Sequence, residues 1–501
     1  MSVLTMKYIT KDSVLWIPFL KCLKSSTPNA FIVNRYLLFL FLIYNIWNAH
    51  SQSLLTTTDV NFETDVNDIW SATDEPSKQF WVFMASKSTT TAFTFNKELF
   101  QRDSVSFARP DSKFENIAGC SFDDSGNPTI YWSSADSKRI FTQTLNQKNH
   151  SLVSKSYLFD FENEDLLVSF NDHGRFCLLT SVKDSSKLVL YDFKNGVPEM
   201  HVLDFTAFPF QNPRGQNFLL SRFLDRYPMQ YIDQSALSSL YMATEKCKLY
   251  AFDDKLLLTF DDNPTQTRIF EIQLSDFSIT ESKVPQQSFT DEASSNSFIN
   301  QNTLLQFKAN KNEMLLSAFD LKSKQPIKTY RVTSEDTISF KNSPLLVQSP
   351  DDKLSTLSST KKFLRRINQR PIGVSIYRHK DGRLIVTAGA TYDYISTGDV
   401  ILGTTLGIGM VVAGAGSDID RFIQEPLLQT VFFEGIFDKN FEHVSAEQPS
   451  LYIDVLNRYL TKEQPELYAI SHLRNFFVLS YYDKATKKLV MRKFSDSKIL
   501  D

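Results

Sequence analysis

The stretch LLVSFNDHGRFCLLTSVKDSSKLVLYDFKNGVPEMHVLDF, residues Leu166–Phe205, decides the fold. It holds four short apolar runs, LLVSF, FCLLT, LVLYDF and MHVLDF, separated by the polar turns NDHGR, KDSSK and KNG. Apolar runs of this length divided by Asn, Asp, Gly and Ser read as strands joined by tight turns. Four of them in succession make an antiparallel meander. The 42 Phe and 19 Tyr of the chain favour the same class, because aromatic side chains suit a pleated, half-buried surface.

The central hairpin of this stretch recurs along the chain. It is matched by FWVFMASKSTTTAFTFN from Phe80, IYWSSADSKRIFTQTLN from Ile130 and LLLTFDDNPTQTRIFEIQL from Leu256. LLQFKANKNEMLLSAFDL from Leu304 and FVLSYYDKATKKLVMRKF from Phe477 complete the set. Further short strands flank the hairpins, as ENIAGCSF and SLVSKSYLFDF do around the second. Four antiparallel strands recurring about every 45 to 60 residues form the blade of a β-propeller. A seventh unit is interrupted: GRLIVTAGA from Gly382 supplies its second strand, and TVFFEGIFDKNFEHV from Thr430 its third and fourth. The last unit lacks an outer strand, which SLLTTTDVNFET from Ser53 can supply, closing the ring. Closure leaves only short, protected sheet edges. The expectation is an all-β propeller of about seven four-stranded blades; eight blades or tandem β-sandwiches are the alternatives.

One blade resembles a known family locally. IAGCSFDDSGNPTIYWSSADSKRIF is similar to an NHL-type propeller repeat, with Asp124, Gly126 and Asn127 in the turn and Arg139-Ile140 after a second Asp turn. It also approaches the sialidase Asp-box, although the spacing of Ser121, Asp123, Gly126 and Trp132 departs from that pattern. As a whole the chain resembles secreted β-propeller proteins of unassigned function. The resemblance implies architecture and transfers no active site.

The N-terminal region points to export. Tyr36–Trp47 is apolar but for Asn45, and is too short to span a bilayer, which takes roughly 20 residues. Lys7, Lys11, Lys21, Lys24 and Arg35 precede it, against one Asp12, and Ala49-His50-Ser51 offers small residues ahead of a cut before Gln52. Residues 1–51 therefore read as a signal peptide region and residues 52–501 as a single propeller domain. The expected location is secreted, periplasmic or cell-envelope; tethering by an uncleaved N-terminal segment is the alternative.

Net charge of −3 and a pI near 6.2 give no electrostatic case for nucleic acid. Cys120, Cys177 and Cys247 lie in apolar segments and read as buried thiols, with one disulfide plus a leftover thiol as the alternative. The histidines after residue 51 are dispersed, and no Cys or His pair has metal-ligand spacing. The acidic pairs Asp123-Asp124, Asp253-Asp254, Asp261-Asp262 and Asp351-Asp352 fall beside strands and read as solvated turn residues. No catalytic residue, cofactor or metal is assigned. KKFLRRINQR, from Lys361, places Lys361, Lys362, Arg365, Arg366 and Arg370 on a short helix read as a solvated inter-blade loop.

One insertion, at about 391–428, is unlike the rest. Six of the 15 glycines fall in it, and no charge occurs between Asp399 and Asp418. Glycine is costly in a helix interior, so the segment reads as a plug over the central channel, a packed hairpin or an exposed recognition loop. In the last case Leu402, Leu406, Ile408, Met410, Val411 and Val412 would carry the contact, with envelope lipid as a further candidate. The functional expectation is a non-enzymatic binding or scaffold protein that recognises a protein or peptide through one propeller face. A carbohydrate-active hydrolase or lyase with acids dispersed over several blades is the alternative.

Overall fold

The computed structural model describes residues 52–62, 65–159, 161–172, 174–211, 215–349, 354–393 and 428–497. The expected signal peptide lies outside these residues. So do Leu402, Leu406, Ile408, Met410, Val411 and Val412 of the Gly-rich insertion, together with His173, Asp351 and Asp352.

Seven antiparallel sheets follow one another along the chain as the blades of a β-propeller. Blade 1 runs through Val66–Asp74, Gln79–Ser86, Thr89–Phe95 and Gln101–Ala108, and its burial explains the pattern. The second and third strands, sandwiched between neighbouring blades, are almost wholly buried, while the fourth alternates toward solvent. Blades 2, 3 and 5 repeat this arrangement in residues 116–158, 164–204 and 294–333. Blade 4 spans residues 247–285 and gains a fifth strand, Met229–Ile232, on its inner edge.

Blade 7 comprises Tyr468–Leu473, Phe476–Asp483 and Lys488–Phe494, and its outermost place is taken by the N-terminal strand Gln52–Asp59. Just beyond that strand, Val60 N donates to Lys487 O at 3.0 Å. The ring is thus closed by the segment expected to close it.

Blade 6 departs from expectation. Its first three strands are Ile372–Arg378, Leu384–Asp393 and Leu428–Phe437. The fourth place is filled from upstream by Leu345–Gln348, whose Leu346, Val347 and Gln348 face Phe432, Val431 and Thr430. The expected fourth strand near Phe441–Val444 is reduced to one bridge, Phe437 to His443. Asn342 draws that segment aside, donating to Val444 O and Ala446 O at 2.9 Å each. Helix α4 (numbering helices α1–α4 along the chain; Tyr452–Glu463) then leads into blade 7.

Polar side chains bridge the inner strands around the ring. Asp68 Oδ2 of blade 1 accepts from Ile117 N of blade 2 at 3.0 Å, and Asn171 Oδ1 of blade 3 accepts from Cys120 N at 3.1 Å. Gly119 makes the second bridge feasible, because a Cβ there would sit 2.4 Å from Asn171 Oδ1. Ser71 and Ser471 hydroxyls join blades 1 and 7 at 2.6 Å. Each bridge satisfies a buried group that a purely apolar seam would leave unpaired. Cys120, Cys177 and Cys247 are buried thiols that form no disulfide with one another.

Candidate binding face

The central channel is filled by the chain itself. Blade 3 ends at Asp204 and the inner strand of blade 4 begins at Cys247. The intervening chain first packs Phe205 and Phe208 on Phe270, and Phe210 on Phe260. Helix α1 (Leu220–Arg226) adds Phe223 to that cluster. The chain then enters the ring. Met229–Ile232 pairs in parallel with Cys247–Ala251, and Tyr231 stacks on Phe170 of blade 3 at 5.0 Å.

At the far end of the channel, Gln234 donates to Ile299 O at 2.9 Å and accepts from Gln301 N at 2.8 Å. Leu237 N donates to the Tyr452 hydroxyl at 3.1 Å, and Tyr452 stacks on Phe477 of blade 7 at 3.6 Å. Helix α2 (Leu240–Thr244), N-capped by Ser239, returns along the inner strand of blade 6. Its last carbonyl, Thr244 O, accepts from Asn296 Nδ2 at 2.7 Å, near the start of the inner strand of blade 5. The segment passes down with the strand and back with the helix as a plug inside the ring, touching the inner strands of blades 3 to 6 and reaching blade 7 through Tyr452. Gly373 permits the return pass, since a Cβ there would lie 3.0 Å from the Ala243 carbonyl carbon and Thr244 N. The Gly-rich insertion, for which a plug is one of the sequence readings, lies outside the described residues.

Where α2 ends, a buried ionic centre begins. Lys248 and Asp261 are fully enclosed, with Nζ 3.6 Å from Oδ2. Lys248 Nζ also donates to Asn296 Oδ1 at 2.6 Å and to Glu245 O. Asp261 accepts from Thr267 Oγ1 at 2.8 Å, Ser297 Oγ at 2.7 Å and Ser297 N at 3.0 Å. Burial pulls the Lys248 ammonium below its ordinary range and pushes neighbouring Lys246 down to about 8, while Glu245 and Asp262 are pushed up by the same cause. Asp261 is thus no solvated turn residue, contrary to the sequence reading. Its partner was visible as a lysine in the apolar strand CKLYA; the hairpin that pairs Cys247 with Phe260 sets Asp261 beside it, while Asn296 and Ser297 come from blade 5. With both Asp261 oxygens and the Lys248 ammonium engaged, the centre ties blades 4 and 5 to the plug.

The other sequence candidates scatter. Asp123 is a turn residue, as expected: its carboxylate accepts from Ser125 N, Asn127 N and Asn127 Nδ2 at 2.8 to 2.9 Å. Gly126 takes φ +77° in that turn, a region open to glycine. Trp132 is buried, donating to Gln143 Oε1 at 2.9 Å beneath the Arg109 guanidinium. His379 is buried in its turn against Ser497 O, 2.8 Å from Nε2, and Asp381, 2.9 Å from Nδ1. His150, His201, His443 and His472 lie on other blades or joints. Among the described residues no three His, Cys, Asp or Glu side chains gather at metal-binding distance, and no helix is long and apolar enough to cross a membrane.

The basic segment does form a helix, α3 (Thr360–Ile367), N-capped by Ser359. Phe363, Leu364 and Ile367 anchor it in the core, Phe363 lying 5.6 Å from Phe433. Lys361, Lys362, Arg365 and Arg366 are exposed. Arg366 Nη1 donates to the Tyr392 hydroxyl at 3.3 Å and to Gln429 Oε1 at 3.5 Å, and Arg370 covers the Tyr392 ring at 4.7 Å. Tyr392 and Gln429 flank the Gly-rich insertion, which joins the second and third strands of blade 6. The helix and the root of the insertion therefore share one face of the ring, the face bearing the links between blades.

No family model and no curated protein matches the chain. Among solved structures, it is similar to the WD40 domain of SCAP from fission yeast, at 11% identity and TM-score 0.30 over 89% of this chain and 91% of that one. The Cps50 (Swd1) β-propeller domain of Myceliophteria thermophila matches at 9% identity and TM-score 0.30, over 88% and 99%. A Synechocystis apocarotenoid oxygenase matches 55% of this chain at 9% identity and TM-score 0.27, and the chain spans 63% of its length.

Proposed function

We propose that this protein is an exported, non-enzymatic binding protein that recognises a protein or peptide partner on the link-bearing face of its propeller. The supporting observation is the occupied axis. Met229–Ile232 and α2 fill the space where side chains of several blades could converge on a small substrate, and Ile232, Leu240, Met242 and Ala243 join the apolar core there. What remains for recognition is the outer surface of the ring, and one face carries the long insertion rooted at Tyr392 and Gln429. Short turns suffice at the equivalent place in other blades, such as Lys87-Ser88 in blade 1, so blade closure does not require it.

The test replaces Leu402–Ser417 with an Asn-Gly turn and compares the cross-linked partners of the two proteins in their native cell envelope or medium. The expected result is a folded protein that has lost a specific partner. Retention of every partner would overturn the reading, as would turnover of a polysaccharide by the intact chain.

A further inference from the structure

We infer that α3 is a docking surface for the phosphate headgroups of an anionic lipid bilayer. The inference uses only α3 and its neighbours and does not depend on the Gly-rich insertion or on the partner proposed above. Residues 354–370 carry five cations and no acidic residue, in a chain whose net charge is −3. Lys361 and Arg365 are four residues apart on the helix, as are Lys362 and Arg366. Like charges at that spacing oppose helix formation by about 0.2–0.5 kcal/mol per pair, so folding alone does not account for the arrangement.

Glu335 faces this helix, 2.9 Å from Lys361 and near enough to Arg365 that both cations hold its carboxyl below the ordinary range, while Lys362 and Arg366 form no ion pair among the described residues. Lys362, Arg365 and Arg366, with Leu357, line an open groove of about 400 Å³. The two arginines supply planar forks that match phosphate oxygens. Arg366 is already aligned by Tyr392 and Gln429, which lowers the ordering cost of contact. The apolar component is present beside the charges: Leu357 lines the groove and Leu354 is 60% exposed, both on the edge strand Leu354–Leu357 that pairs with Leu345–Gln348. Cations bordered by an exposed leucine and a half-buried one fit a bilayer interface, where headgroups meet acyl chains. A soluble phosphate would leave Leu354 without a partner.

The experiment measures co-sedimentation of the folded chain with phosphatidylcholine vesicles, with and without phosphatidylglycerol. Binding is expected only with the anionic lipid and should weaken as salt rises. Each basic side chain near such a surface contributes roughly fivefold, so Lys362→Gln with Arg365→Gln should reduce partitioning on the order of twentyfold. The unfolding midpoint, measured in parallel, should not fall, because both residues are exposed and each belongs to a like-charge pair. Replacing Leu402–Ser417 should leave vesicle binding intact, so failure of this inference is separable from failure of the partner proposal. Equal binding to pure phosphatidylcholine would overturn it. So would unchanged binding by the Gln variant, or displacement from vesicles by millimolar glycerol phosphate, which would identify a soluble anion as the ligand.

Discussion

Two pairs of lysines on the same face of the ring have opposite fates. Lys246 and Lys248 begin the inner strand of blade 4 and turn inward, where Lys248 is enclosed with Asp261 and Asn296. Lys361 and Lys362 begin α3 and turn outward, with apolar neighbours on the helix's other side holding it down. A lysine in a strand that is buried on both sides has no route to water, so it must be paired. A lysine on the outer side of an amphipathic helix keeps its hydration. Charge in the first setting specifies the interior, and charge in the second remains free for an external partner.

The comparison is broken most severely at Lys248. Lys248→Ala would leave Asp261 buried without its cation, and breaking such a pair costs about 3–5 kcal/mol. Urea unfolding should show that loss, and a change below about 1 kcal/mol would mean that the pair is not enclosed as described. The double variant Lys248→Met with Asp261→Leu should recover much of it, because apolar replacement of both partners avoids the stranded charge.

Gly373→Ala tests the plug that ends at the buried lysines. The added methyl would press on the α2 backbone, and such overpacking costs typically about 1–3 kcal/mol. Hydrogen exchange should quicken first in residues 229–244, and unchanged protection there would speak against a tightly filled channel.

Asp68 sharpens the comparison with a third charge, held between these extremes. Burial pushes its carboxyl up to about 6, despite the lowering effects of Ile117 N and Arg109. The folded state therefore binds the proton more tightly than the unfolded one. Its ionisation disfavours the fold at neutral pH, and the penalty vanishes as pH falls through about 6 toward the ordinary carboxylate value near 4. Asp68→Asn should accordingly raise the melting temperature at pH 7 and lose that advantage below about pH 4. An equal effect at both pH values would contradict the assignment. The smallest stability effect belongs to the outward lysine: Lys362→Gln should stay within about 0.5 kcal/mol of the parent.

Much of the architecture was legible because strands buried on both sides read as short continuous apolar runs bounded by polar turns. The six quoted hairpins are all second and third strands of blades, from Gln79–Phe95 to Lys488–Phe494. Blade 6 was harder to read because its outer strand, Leu345–Gln348, precedes the rest of the blade. The plug was missed for a related reason. Met229–Ile232 and Leu240–Thr244 are short apolar runs like any others, and only their contacts with several blades reveal that they run through the axis. The cations of α3 could be read directly, since helical spacing shows which side they share. Their groove could not, because Leu357 reaches it from a separate strand.

The strand Gln52–Asp59 has a consequence for how the molecule is made. It is synthesised before the rest of the ring, yet its neighbour Lys488–Phe494 emerges only after the other six blades, and the adjoining seam joins Ser71 to Ser471 across 400 residues. Until then an unpaired edge must wait in water beside incomplete blades, a state prone to mispairing. Its sequence, QSLLTTTD, suits that wait: three threonines, a serine and terminal polar residues give β propensity with little apolar surface to attract the wrong partner. The last step of assembly is thus assigned to a segment that stays soluble while it is alone, and the ring becomes one cooperative body only when the first strand meets the last.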